Sequence, residues 1–303
     1  MYVCINLYTC GFESHILSRY LNKKLEIFVT KSALSASLDE LKKQKKVIGF
    51  VPTMGALHDG HLSLINIARE QSDVVVCSIF VNPTQFNDPS DLEKYPRPVE
   101  ADIEKLKSVN CDILFLPPVH EMYQQGESWH IDLGYLEHIL EGKSRPGHYQ
   151  GVTQVVKKFF DIVKPDIAFF GQKDFQQVLI LRKMTEMLEI PVNIVMCPIK
   201  RESDGLALSS RNIHLSEVER RNALALSAAL QTTKDHFQEK DLASLKEEAV
   251  AFLNASEGID LDYFEIYDAA TLKPAESKEI ESIIALVAAR SGETRLIDNM
   301  ILN

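Results

Sequence analysis

From Leu25 onward the apolar positions of the chain switch repeatedly between the period of a buried strand and that of a helix covering it. Ser32 to Gln44 puts Leu34, Leu38 and Leu41 on one stripe and predicts a helix. The β-branched run Val47–Val51 predicts a buried strand, and Leu62, Leu64, Ile65 and Ala68 predict a helix over His61–Gln71. The alternation continues through strand Val74–Val81, a helix around Val99–Ser108 and strand Ile113–Leu116. Helix Gly151–Val163, strand Ile167–Phe170, helix Phe175–Leu188 and strand Val192–Met196 complete it. Repeated βα units imply an α/β fold, a Rossmann-like parallel sheet with helices on both faces. Such sheets bind ligands outside the carboxyl ends of their strands.

After about Cys197 the character changes. Ser216-Glu217-Val218-Glu219 is a capping box opening a long helix, and Asp241 caps another. Leu261–Ile266 and Ile283–Ala288 then read as strands. The expected organisation is a domain over 25–197, a smaller C-terminal α+β domain over 198–303, and an N-terminal extension over 1–24 of unknown role. The extension has no clear period, and Glu13 and His15 interrupt any signal-peptide core.

Composition narrows the classes. The chain has 303 residues, 45% of them hydrophobic and 25% charged, which is a globular balance with room for a large core. A formal net charge of −10 argues against a dedicated nucleic-acid binder, which would show a basic face. Cys4, Cys10, Cys77, Cys111 and Cys197 are scattered and odd in number, and read as reduced thiols. No apolar run reaches the length of a membrane span. The expected setting is therefore the cytoplasm, with neither membrane nor nucleic acid as partner.

Four segments carry chemistry. The first runs from Pro52-Thr53-Met54-Gly55 to His58-Asp59-Gly60-His61, joining a strand to a helix N-terminus. Unpaired N–H groups and the helix dipole favour an anion there, and the two histidines add donors on one face. Zinc ligation is the competing reading, but no cysteine or acidic partner is suitably spaced. The second, Val81-Asn82-Pro83-Thr84-Gln85-Phe86, follows a strand that Pro83 stops; its amides suit a small hydroxy acid. Read plainly, Asn-Pro is a turn. The third is Phe170-Gly171-Gln172-Lys173-Asp174, continuing to Gln177. Lys173 offers a point charge to phosphate, while Asp174 reads equally well as a helix cap. The fourth, Lys200 to Asn212, holds Leu208-Ser209-Ser210-Arg211, which reads either as a mobile phosphate clamp or as an ordinary polar hinge.

The His-x-Gly-His turn resembles the HIGH signature of the nucleotidyltransferase superfamily, and Val51 to His61 is similar in particular to the pantothenate synthetases (pantoate–β-alanine ligases). Leu208 to Asn212 corresponds to the superfamily's KMSKS loop, and Arg145-Pro146-Gly147-His148 also matches the family, as substrate capture or loop order. The third segment departs from the usual Gly-Glu-Lys-Asp, with Gln172 in place of the glutamate. The resemblance spans about Leu25 to Asn299.

It implies ATP-dependent condensation of pantoate with β-alanine through a pantoyl adenylate, releasing AMP and pyrophosphate. His58, His61, Lys173 and Arg211 are the implied catalytic residues. ATP would be held by Pro52, Thr53, Met54, Gly55, Gly60, the 171–174 segment, Lys200 and the 208–211 loop. Gln85, Gln177, Asn82 and Arg145 would serve the pantoate and β-alanine sites. Magnesium is implied with ATP, Asp102 being the candidate ligand, and a homodimer is expected. The alternatives are another HIGH-motif enzyme, such as one resembling phosphopantetheine adenylyltransferase, or a non-enzymatic nucleotide sensor.

Overall fold

A computed structural model describes residues 24–303 of the chain; the expected N-terminal extension, with Cys4 and Cys10, falls outside the described residues, Lys24 apart. Six strands form one sheet: β1 (Glu26–Phe28), β2 (Ile48–Thr53), β3 (Val74–Ile79), β4 (Ile113–Phe115), β5 (Ile167–Gly171) and β6 (Asn193–Cys197). Their order across the sheet is β1-β4-β3-β2-β5-β6, and every neighbouring pair is parallel. Three antiparallel strands, β7 (Ile259–Asp268), β8 (Ile283–Ser291) and β9 (Thr294–Ile301), form a second sheet.

Alternating side chains of the large sheet enter two different cores, which is why its strands read as continuous apolar runs. Ile48, Phe50, Val74, Val76, Ala168 and Phe170 pack with helix His148–Val163 on one face. Val51, Val75, Cys77, Leu114 and Phe169 pack with Leu64, Ile65 and Ala68 on the other. The first cluster also takes in Ala269, Leu272, Ile284 and Leu286, so the second sheet shares apolar surface with the first. A further cluster lies between β7–β9 and the helices Glu217–Asp235 and Leu242–Ala255. Ser216 and Asp241 cap those helices as the sequence indicates, Ser216 in a reciprocal capping box with Glu219.

The sheet opens at one point. Even-numbered positions of β2 face β5, as the bond from Asp166 N–H to the Ile48 carbonyl shows. Phe50 pairs with Ala168, but Pro52 at the next such position has no N–H to give, and the β2–β5 ladder ends at Phe50. On its other edge β2 stays paired with β3 through Thr53, so the strand runs two residues beyond the expected Val51. A proline is tolerated in this central strand because the neighbour it would have bonded has moved away.

Phe50 is fully buried, with its ring 5.5 Å from that of Phe159. Phe50→Ala should lower the unfolding free energy by about 3–5 kcal/mol in urea titration, leaving the far-UV spectrum of the folded state unchanged.

Candidate active site

The carboxyl ends of β3, β2 and β5 lie side by side where the ladder opens, and each delivers one predicted segment. The loop after β6 carries the fourth. They line a single cavity of about 240 Å³. Its walls include Pro52, Thr53, Met54, His58, Gly60 and His61 from the first segment, and Asn82 and Gln85 from the second. The third contributes Gly171, Lys173, Asp174 and Gln177; the fourth contributes Lys200, Leu208, Ser209, Ser210 and Arg211. Arg145 and His148 close one side.

Three predicted residues do not face it. Gly55 turns the chain with φ +82°, and an added Cβ would meet Ile79 and Asp102 at 3.0 and 3.1 Å. The Gln172 side chain instead donates to Asn299 Oδ1 at 3.1 Å. Asp102 is fully buried, and its two carboxylate oxygens accept the N–H groups of Ala56 and Leu57, each at 2.8 Å. Buried and off the cavity wall, Asp102 is not placed to meet magnesium carried into the cavity on ATP. No cluster of three or more His, Cys, Asp or Glu among the described residues could hold a metal ion. Among the described residues, Asp174 is the one carboxylate on the cavity wall. Such a donor set fits magnesium that arrives on phosphate oxygens and keeps its waters.

The helix Asp59–Gln71 begins with His58 as its N-cap. His58 Nδ1 accepts from Gly60 N–H at 3.1 Å, and His61 Nδ1 accepts from His58 N–H at 3.3 Å. A Cβ at residue 60 would stand 2.8 Å from the His58 ring, so glycine is what lets that ring fold back as a cap. The rings lie 4.0 Å apart, tilted by 40°. Burial, then the charges of Lys173 and Lys105, lowers His58 to about 4; burial, then His58, Lys105 and Lys173, lowers His61 to about 3. Both rings are neutral near pH 7, and with Nδ1 accepting, each carries its proton on Nε2. The turn therefore presents two N–H donors rather than two cations.

Asn82 has no capacity to spare. Its Oδ1 accepts from the Tyr123 hydroxyl at 2.7 Å and the Thr84 hydroxyl at 3.1 Å. Its Nδ2 donates to Gln85 Oε1 at 3.0 Å and to the Gly151 carbonyl at 3.1 Å. Asn82 thus holds Gln85, whose Nε2, among the described residues, meets only the weak acceptor Met54 Sδ at 3.2 Å and keeps donor capacity. His148 extends the support. Arg145 donates to His148 Nε2 at 3.1 Å, which leaves Nδ1–H to donate to the Gln85 carbonyl at 2.8 Å. Burial and the Arg145 charge lower His148 to about 3, consistent with that neutral tautomer. Of the two readings of Arg145 to His148, the contacts favour loop order.

Asp174 makes no cap hydrogen bond with the helix Phe175–Met187, so the capping reading fails. A Cβ at Gly171 would meet no atom within 4 Å, leaving that space to the cavity. Asn299 of β9 donates to the carbonyls of Gln172 and Lys173 at 2.9 and 3.0 Å, fixing the turn from the second sheet. At the base of the fourth segment Arg201 grips Asp298 with two bonds of 2.6 and 2.9 Å. Ser209 caps the short turn Ser210–His214, the Ser210 hydroxyl lies 3.3 Å from Tyr95 Oη, and Arg211 lies 3.5 Å from Asp91.

Residues that sequence reasoning does not single out are Phe86, Tyr95, Asn299 and Asp298. Their signal in sequence is weak: aromatic or polar positions in loops, and polar residues on an otherwise apolar strand. His148 stands in a recognisable motif, but nothing in the sequence names its partners.

Among known proteins, the Pantoate-beta-alanine ligase family matches residues 26–301. The chain belongs to this family. A pantothenate synthetase of Thermotoga petrophila is 47% identical over 280 residues, 92% of this chain and all of that protein. One of Fervidobacterium nodosum is 50% identical over 260 residues, 85% of this chain and 92% of the relative. Among solved structures, the pantothenate synthetase of Thermus thermophilus superposes with a TM-score of 0.86 at 40% identity, covering 91% of this chain and 99% of that one. The Francisella tularensis pantoate-beta-alanine ligase, solved with βγ-ATP and β-alanine, gives 0.75 at 35% identity over 92% and 98%. Family membership does not favour the adenylyltransferase alternative. It also matches the sheet anticipated from sequence.

The unfolded chain takes up protons on His58, His61 and His148 below about pH 6.5, whereas the folded protein refuses them until about 4, 3 and 3. Stability should therefore fall with pH from about 6.5 downward, by about 1 kcal/mol per pH unit for each histidine. Urea titrations at pH 7, 6 and 5 measure this, and His61→Gln should remove about one proton from the slope.

Proposed function

We propose that the chain is an ATP-dependent ligase joining pantoate to β-alanine, giving pantothenate, AMP and pyrophosphate. The observation that carries the proposal is the meeting of four sequence-distant segments on one cavity, within a family named for this reaction. A carboxylate is unreactive toward amines because its oxygen leaves poorly; converting it to a mixed anhydride splits one hard step into two.

In the first step a pantoate carboxylate oxygen bonds to the α-phosphorus and the bond to pyrophosphate breaks. Catalysis is positioning and charge stabilisation, and no strong base is needed because pantoate is already ionised. In our reading the His58 and His61 Nε2–H groups serve the α- and β-phosphates, where hydrogen bonds strengthen as charge moves to the leaving group. Lys173, Ser209, Ser210 and Arg211 take the remaining phosphate charge. Magnesium enters as part of the MgATP substrate. Asp174 and the backbone at Gly171 lie on the nucleoside side; Gln85 Nε2 and Gln177 bracket pantoate, with Asn82, His148 and Arg145 supporting Gln85. In the second step the β-alanine nitrogen bonds to the acyl carbon, the carbon–oxygen bond to AMP breaks, and the ammonium gives up two protons. The domains 25–197 and 198–303 would close on one another through the 208–211 loop. No helix among the described residues is long and apolar enough to cross a membrane. A cytoplasmic homodimer completes the proposal; the setting rests on the cysteines, scattered and odd in number, and the dimer on the family resemblance.

Pyrophosphate release with ATP and pantoate, with and without β-alanine, tests the reaction directly, and failure to release pyrophosphate in either condition would refute it. His61→Ala should cut that release about 10²- to 10³-fold in a folded protein. Near-normal release would remove His61 from the phosphate site. Gln85→Ala should raise the KM for pantoate about tenfold while changing that for ATP much less. Equal effects on both would make Gln85 structural.

A further inference from the structure

Behind the histidine turn, on the side away from the cavity, lies the helix Val99–Ser108. The turn itself is held in an unusual backbone conformation. Gly55 has φ +82° and the next residue, Ala56, φ +49°, a left-handed geometry that costs a residue with a Cβ about 1–2 kcal/mol. Something outside the turn must fix it. The buried Asp102 carboxylate does so by accepting the Ala56 and Leu57 N–H groups at 2.8 Å each. One turn further along the same helix, Lys105 Nζ donates to the Leu57 carbonyl at 2.5 Å. Three backbone groups of the two residues before His58 are thereby tied to one helix.

The same stretch of chain reaches the other phosphate loop. Tyr95 Oη is 3.3 Å from Ser210 Oγ, and the Asp91 carboxylate is 3.5 Å from the Arg211 guanidinium. Tyr95 is buried, packed edge-on against Phe86 at 5.8 Å, so its hydroxyl is a fixed point rather than a mobile tip. The histidine turn and the 209–211 loop are about 150 residues apart in sequence, and this one segment touches both.

We infer that the segment from Asp91 to Lys105 is a positioning arm that sets the two phosphate-holding loops against each other, with Asp102 as the residue that positions His58 and His61. The inference rests on the ligase reading of the cavity. Asp102 does not line the cavity and touches no substrate. Its effect passes through the backbone at residues 56 and 57 to the histidine rings. A displacement of about 1 Å at a reacting group costs on the order of a hundredfold in rate, so a brace of this kind matters to catalysis out of proportion to its contacts. Lys105 has a second effect, because its charge faces both rings. The other charged groups facing His58 are Lys173, Asp59 and Asp174, and His61 is faced by Lys173 and by the titratable His58 ring.

The experiment compares the full chain with Asp102→Asn, Lys105→Met and, as control on the same helix, Glu104→Gln, whose side chain is solvent-exposed and pairs with Lys107. The asparagine keeps the shape but turns an NH₂ toward one of the two N–H groups. Pyrophosphate release, the KM values for ATP and pantoate, and the NMR titration of the histidine ring protons are measured on each. Asp102→Asn should lower kcat about 100-fold with both KM values within about threefold of wild type. Lys105→Met should lower kcat about tenfold and move the His58 and His61 midpoints upward by about half a pH unit. Glu104→Gln should match wild type in every measurement. A folded Asp102→Asn with wild-type kcat overturns the inference. Should that variant not fold, Lys105→Met with wild-type kcat and unmoved histidine midpoints overturns it instead. If the wild type itself releases no pyrophosphate, the ligase reading fails, and the histidine midpoints of Lys105→Met still decide whether the arm acts on the rings.

Discussion

The cavity exists because one hydrogen-bond ladder stops early. β2 faces β5 through its even-numbered residues, and Pro52 stands where the third contact would be made. Without an N–H there, the two strands part above Phe50, while β2 and β3 remain zipped through Thr53. The chain also reverses its direction of travel across the sheet at this point: β3 and β4 were added to one side of β2, and β5 is added to the other. A crevice at the carboxyl edge follows from that reversal. Each of the four segments that line it enters by leaving β3, β2, β5 or β6. The fold therefore fixes where a ligand goes before any side chain is chosen.

Much of this is legible in the chain. Strands buried on both faces announce themselves as apolar runs, and the helices between them keep a clean stripe; the observed bounds differ by a few residues at the ends. Sequence reasoning ends the strand before Pro52 because proline normally terminates a central strand, and only the register shows that its missing N–H faces a gap. The four motifs are legible because each pairs a strand end with residues whose chemistry is local. What stays hidden is every relation made through space. Asp102 looks like a free carboxylate because its two donors, the N–H groups of Ala56 and Leu57, are anonymous in sequence. Asp174 looks like a cap because capping is what aspartate commonly does before a helix. Asn82 looks like a substrate contact, though Tyr123, Thr84, Gln85 and Gly151 use its amide up.

The second sheet acts on the site through three polar residues of β9. Asn299 holds the turn at Gln172 and Lys173, Asp298 takes the root of the 200–211 loop through Arg201, and Arg295 reaches Glu141. The Glu141–Arg295 pair is bidentate at 2.6 and 2.8 Å and mostly buried. Burial pushes the Glu141 carboxyl up, but the Arg295 charge and hydrogen bonds, with the Tyr263 hydroxyl, hold it below the usual carboxylate range. A buried ion pair adds little net stability, since desolvation offsets most of its attraction. What it does fix is angle and register. Glu141 leads directly into the 144–148 turn that carries Arg145 and His148, so the orientation of the second sheet is transmitted to the support of Gln85.

The protonation of the two histidines bears on how such a site works. A cationic imidazolium would bind triphosphate strongly before any chemistry, and tight ground-state binding does not raise the rate of the chemical step. Here burial and the neighbouring lysines keep both rings neutral, with Nδ1 engaged by the backbone. Each ring is then a fixed dipole, and in the proposed reaction its Nε2–H would gain interaction only as charge develops on a phosphate oxygen. The backbone bonds at Nδ1 prevent the ring from turning to follow the ground state, and the Asp102 carboxylate prevents the turn itself from shifting. Long-range charge comes instead from Lys173 and Arg211, whose side chains belong to a turn and a loop anchored on β9. For the reaction proposed above, the arrangement would separate two tasks that one set of cations would confuse: attraction of the nucleotide by lysine and arginine charge, and discrimination of the transition state by held dipoles.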